Sequence, residues 1–170
     1  MRLRAIRRRF SRGGRGPSTL GVTRFVLCAQ LATTLPLVGL LWMVQLVAYP
    51  LFARAGASSF AAYHAAHSSW ITLVVGPLML GELASAALWV AVRPPEVSPI
   101  LAWVGLALVL IAWGVTAFVS VPQHAILARG FDAEAHATLV ATNWIRTAAW
   151  SARGVMLVWI VDRWLARLGA

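Results

Sequence analysis

Lysine is absent from the chain, cysteine occurs once, and only five residues are acidic. Each shortage removes a class of explanation. The lone Cys28 lies in an apolar run, so neither a disulfide framework nor a thiolate metal cluster can form within one chain. There is no HExxH or ExxH pair, and no carboxylate stands at metal-ligand spacing. A nucleotide-binding loop, a serine nucleophile elbow and a CxxCH haem attachment are missing too. Charge itself is scarce: 12% of residues are charged, where soluble globular domains average about 25%.

What is there instead is apolar. The hydrophobic fraction is 60%, the mean hydropathy is +0.76, and nine tryptophans suit a protein with two membrane–water interfaces. The length predicts one domain. All basic residues are arginine and alanine is abundant, which points to a GC-rich bacterial genome and hence to a bacterial inner membrane. The net charge of +10 is concentrated at the start. Arg2, Arg4, Arg7, Arg8, Arg9, Arg12 and Arg15 precede a Gly- and Pro-containing segment. Residues 1–18 read as a basic, disordered cytoplasmic tail that meets anionic lipid headgroups rather than nucleic acid. The remaining residues, 19–170, read as an all-α transmembrane domain.

Four apolar stretches are long enough to cross a bilayer, which takes about 20 helical residues. The first covers residues 20–49, too long for the core of a signal peptide, with Pro36 inside and Pro50 closing it. The second covers 70–92 and contains Pro77, Glu82 and a Gly81/Ser85 pair suited to close helix approach. The third, 100–121, stops at Pro122. The fourth, 139–161, carries Asn143, Arg146 and Arg153 on one helical face, with Trp150 beside them. Residues 51–69 form an outer connection that includes a short helical segment. Arginines fall before residue 20, at Arg93 and at Arg163 and Arg167, with only Arg54 and Arg129 at the opposite ends. This places both termini in the cytoplasm. The sequence also echoes itself. Trp42 to Pro50 parallels Trp113 to Pro122, and Trp70-Ile71-Thr72 parallels Trp144 to Thr147, as in a duplicated two-helix hairpin. A homo-oligomer is compatible with this pattern.

Two sets of residues could carry chemistry. The first is His64, His67 and His124 at the outer ends of the helices, as acid/base groups or ligands. Nitrogens of His124 and of His64 or His67 are expected within about 8 Å of each other, near enough for a bridging metal or substrate atom. His136, close behind Asp132 and Glu134, is expected to face water. The second set is Gln45, Glu82, Asn143, Arg146 and Arg153, buried polar residues fit to bind a substrate or to pin helices together. A buried arginine costs roughly 2.5–3.5 kcal/mol on insertion scales and must find partners. Glu82 and Arg153 reach similar depths and are expected to pair. The alternatives left open are an enzyme on a lipophilic substrate, a non-catalytic accessory or transport component, and a b-type haem protein holding iron between two histidines.

Val121-Pro122-Gln123-His124-Ala125-Ile126-Leu127 and Asn143-Trp144-Ile145-Arg146-Thr147 resemble the anthrone-oxygenase-like family of small four-helix membrane proteins. His124 stands where that family's pattern has asparagine. The resemblance covers about a third of the chain. It implies the four-span fold and, for some members, cofactor-free oxygenation of polyketide anthrones.

Overall fold

The computed structural model describes residues 17–168; the arginine-rich tail lies outside the described residues. It is 88% helical with no strand among the described residues. Four long helices follow one another. We label as α1 the continuous helix of Pro17–Met43, Val44–Ala48 and Tyr49–Phe52, and as α2 Phe60–Val92. Next come α3, made of Pro99–Val115, Thr116–Ser120 and Val121–Leu127, and α4, Ala133–Leu168. Contacts join α1 to α2, α2 to α3, α3 to α4 and α4 back to α1, an antiparallel ring with short turns.

The prolines do not end helices as the sequence reading has it. Pro50 and Pro122 both lie inside a helix that continues to Phe52 or Leu127. A proline lacks the N–H for its helical bond, and its ring clashes with the carbonyl four residues back. Here each proline is preceded by one π-helical turn, Val44–Ala48 or Thr116–Ser120. The N–H of Tyr49 bonds the Val44 carbonyl and that of Val121 the Thr116 carbonyl, five residues back in both cases. The extra residue widens the turn where the ring needs room and lets the helix go on. The outer connection is likewise shorter than expected, because α2 begins at Phe60 and carries the histidine segment without a break.

The other ends follow local chemistry. Ser98 Oγ accepts the N–H of Ile100 at 3.2 Å ahead of Pro99, starting α3. Asp132 Oδ1 accepts the N–H of Ala135 at 2.8 Å and starts α4. Gly130 makes the turn between them at φ +143°, a conformation that favours glycine.

Three apolar clusters stack along the bundle. At the end formed by the two outer connections, Val44, Tyr49, Phe52, Phe60, Leu127 and Leu139 pack together. Leu37, Leu41, Met79, Ala112, Ala149 and Trp150 fill the middle. Val26, Leu27, Trp89, Ala102, Leu157 and Ile160 fill the opposite end. Between these clusters the interior is polar: Thr34, Gln30, Gln45, Glu82, Asn143, Arg146 and Arg153 are all buried. The surface is the reverse, with Phe118 83% exposed, Phe25 73%, Val155 72% and Trp70 71%. Three helices are long and apolar enough to cross a membrane, corresponding to α1, α2 and α3. Helix α4 is as long as α1 but less apolar, because its inward face carries the polar stripe.

Candidate functional site

Every helix sends a side chain to one aromatic hub at the end of the bundle where α1 turns into α2 and α3 into α4. Phe52, fully buried in the last turn of α1, lies 5.0 Å from the ring of His67, 5.5 Å from His64 and 6.4 Å from both His124 and His136, centroid to centroid. Thus α2 supplies His64 and His67, α3 supplies His124, and α4 supplies His136. The sequence reading missed this hub. Its only signal was the position of Phe52 two residues beyond Pro50, where the π-helical turn re-aims the end of α1.

The histidines are connected. His64 Nε2 and His124 Nδ1 are 2.9 Å apart, well inside the expected 8 Å. His124 Nε2 in turn lies 3.4 Å from the Tyr49 hydroxyl. A contact between two ring nitrogens needs one N–H and one bare nitrogen, so this pair cannot be doubly protonated and keep its bond. Two polarities are open. In one, the Tyr49 O–H donates to His124 Nε2, and His124 Nδ1–H donates to His64. In the other, His64 Nε2–H donates to His124, whose Nε2–H donates to the phenol oxygen. His64 Nδ1 is buried without a hydrogen-bond partner and ends the chain. The three groups are a short relay along which protons can shift.

His136 overturns the expectation that it faces water. It is half-buried, and its Nε2 donates to the Tyr49 carbonyl at 2.8 Å. The last four carbonyls of a helix have no intrahelical donor. Tyr49 is one of these in α1, so His136 caps a helix end.

His64 and His124 bond each other at 2.9 Å rather than facing each other across the wider gap that a haem iron held between two imidazoles would need. Among the described residues no group of three His, Cys, Asp or Glu side chains is placed to hold a metal ion.

The buried polar set divides in two. Glu82 and Arg153 pair as expected, Nε to Oε1 at 3.0 Å with both side chains buried. Glu82 also accepts from Thr34 Oγ1 at 2.7 Å and from Trp150 Nε1 at 2.6 Å. Arg153 donates to Gln30 Oε1 and to the Gly105 carbonyl, each at 2.8 Å. One guanidinium on α4 therefore ties together α1, α2 and α3. A Cβ on Gly105 would come within 2.8 Å of Arg153 Nη1, so the glycine makes room for it. Gln30, Thr34 and Gly105 had escaped the sequence reading, because single uncharged residues in apolar runs give no pattern.

Gln45, Asn143 and Arg146 form the second group. Gln45 Oε1 accepts from Asn143 Nδ2 at 2.7 Å. Arg146 Nη1 donates to Asn143 Oδ1 at 3.2 Å and to Ser120 Oγ at 3.3 Å. The Arg146 guanidinium also lies over the Trp150 ring, 5.4 Å from its centroid. No carboxylate reaches it, since the only ion pair among the described residues is Arg153 with Glu82.

A cavity of about 330 Å³ opens between α2 and α3, backed by α1. Its walls are Leu40, Leu41, Val44, Ile71, Val75 and Met79, and its polar rim and floor are His67, Tyr49, His124, Thr116, Ser120 and Arg146. Glu82 and Arg153 do not line it. Of the candidate residues, His67, His124 and Arg146 face this space, His64 reaches it through His124, and Gln45 and Asn143 brace Arg146.

No family model, curated protein or solved structure matches this chain.

Proposed function

We propose that the protein is a four-span bacterial inner-membrane enzyme that takes a proton from a lipophilic substrate held in the cavity between α2 and α3. The observation that carries this reading is the Tyr49–His124–His64 relay ending on an apolar-walled cavity. His124 is the general base, its Nε2 taking the substrate proton in place of the 3.4 Å contact with the Tyr49 hydroxyl, with His67 beside it; His64 takes up or returns the proton through the Nδ1 bond. Arg146 faces the negative charge that then develops on a substrate oxygen. The resemblance to anthrone-oxygenase-like proteins supplies a reaction for such a carbanion. Its methylene would lose two hydrogens and gain one oxygen atom from dioxygen, the second oxygen leaving as water.

The fourth span is part of the proposal. Between residues 141 and 159 the exposed residues of α4 are Ala141, Trp144, Ile145, Ala148, Ala152, Val155, Val158 and Trp159, an unbroken apolar face. Its charges are all turned inward over that stretch, which is how lipid-facing helices carry arginine. The paired arrangement of a π-helical turn six residues ahead of Pro50 and again ahead of Pro122 supports the duplicated hairpin.

Oxygen uptake with anthrone as the probe tests the reading in protein reconstituted into bilayer nanodiscs. A rate above the protein-free control that falls roughly 10²-fold or more in His124→Phe is expected for a general base. No protein-dependent rate, or one that His124→Phe leaves untouched, would leave the accessory or transport reading. The saturated Glu82–Arg153 network, which binds only the chain itself, is the observation that favours that second reading.

A further inference from the structure

Arg146 is 6% exposed, lies against a cavity and has no anion beside it. A charge in that position is expensive unless something neutralises it. Its Nη1 donates to Ser120 and Asn143, the Tyr49 hydroxyl lies within its reach, and Nε is buried with no partner. The Nε side of a guanidinium is one on which a carboxylate docks with two parallel bonds. Trp113 Nε1, from another residue lining the same cavity, is likewise buried and unpartnered. Arg146 thus borders a cavity whose α1 and α2 walls are largely aliphatic, Leu40, Leu41, Val44, Ile71, Val75 and Met79.

We infer that this cavity binds the carboxylate end of a long-chain carboxylic acid, with Arg146 as its counter-ion and the alkyl chain running out between α2 and α3. The inference rests on the reading that the cavity takes a lipophile, and adds the chemistry of its head. Depth separates a carboxylate from a lipid phosphate. Arg146 is seven residues inside the apolar stretch that begins at Leu139, about 10 Å along the helix axis. A phosphodiester is ionised at any ordinary pH and would have to be dragged that distance as an anion. A carboxylic acid can enter neutral from the bilayer and lose its proton inside. His67 and His124 line the cavity to accept that proton, and the relay to His64 carries it toward the outer end. The acid gives up one proton, the imidazole gains it, and the ion pair with Arg146 forms without any charge crossing the lipid.

Native mass spectrometry of the protein released from nanodiscs, offered dodecanoate, dodecanol and methyl dodecanoate at equal concentration, tests this. The expected result is retention of dodecanoate at least about tenfold above the two neutral probes, the margin of a hydrogen-bonded charge pair over a neutral one. Arg146→Gln should erase the preference while leaving weak retention of all three. Val75→Phe, which fills the cavity from the α2 wall and keeps the arginine, should abolish retention of dodecanoate and so reports even where Arg146→Gln fails to fold. Equal retention of acid, alcohol and ester in the unaltered protein would overturn the carboxylate inference and leave the lipophile site intact. Retention of none of the three would overturn both. A preference for dodecanoate that survives Val75→Phe would place the carboxylate elsewhere and overturn the inference alone.

Discussion

Arg146 and Arg153 project from one face of α4, seven residues apart, and only Arg153 has a carboxylate. That difference sets what each can do. The Arg153 guanidinium is spent on Glu82, Gln30, Thr34 and the Gly105 carbonyl, leaving it nothing for a ligand. Removing one member of such a pair strands the other, at a cost of roughly 3–5 kcal/mol. Glu82→Gln should therefore lose about that much stability in a mixed-micelle unfolding titration, and Arg153→Met a similar amount. The double variant should lose clearly less than the sum, though not recover fully, since the Gly105 carbonyl and Gln30 stay unpartnered. Losses that add to within about 0.5 kcal/mol would show that the two charges are not coupled. The pairing was legible in the sequence because two opposite charges in otherwise apolar spans have few other places to go. The role of His136 was not. Sequence shows its acidic neighbours but not the carbonyl at the end of α1 that it caps. Phe52→Ala belongs to the same scale. Truncating a fully buried ring in contact with four histidines should cost about 3–5 kcal/mol and release the relay. Retained stability in the same unfolding titration would show that the hub is not packed as described.

At the scale of the helix, the two prolines explain what periodicity could not supply. The apolar runs located the helices well, and Pro50 and Pro122 read naturally as their ends. Whether a proline stops a helix or widens one turn depends on whether the neighbours hold the chain beyond it. Here Phe52 packs on Phe60 and Tyr63, and Leu127 is fully buried, so the turns past both prolines are anchored. The consequence is functional. The π-helical turn shifts every residue beyond it around the axis, which brings Tyr49 and His124 onto the interior side. Pro122→Ala would restore the missing N–H and allow the α-helical register to close through Phe118. The expected outcome is a protein as stable as the parent, or more so, in which His124 is turned away from His64. Imidazole ring-proton signals from ¹⁵N-labelled protein measure this, because the His64–His124 hydrogen bond disappears from through-bond coupling spectra. An unchanged coupling in Pro122→Ala would show that the π-helical turn does not depend on the proline.

At the scale of the whole bundle, the described residues bury the charges of Glu82, Arg146 and Arg153 and expose many large aliphatic and aromatic side chains; under the four-span proposal the orientation follows from where the other arginines lie. Three helices satisfy the length and apolarity of a membrane span outright. Helix α4 does not, although its exposed face from Ala141 to Trp159 is apolar. The two inward arginines lower the hydropathy of α4 averaged along the sequence, so the fourth span rests on its exposed face rather than on that average. With four spans, the turn at Arg93 and the far end of α4 share a side with the start of α1. The turns carrying Arg54 and Arg129 share the other. Under the proposal the first side, with its arginine excess, lies in the cytoplasm, and the histidine hub on the opposite side. Reporter fusions read this directly. An alkaline-phosphatase reporter inserted after residue 56 or 130 should be active, and one inserted after residue 96 inactive. A reporter joined after residue 168 decides between the models. If α4 crosses the bilayer it is inactive there; if α4 lies along the surface, three spans leave that end outside and the reporter is active. An active reporter after residue 168 would remove the fourth span, and with it the argument that Arg146 is a cation enclosed within the membrane.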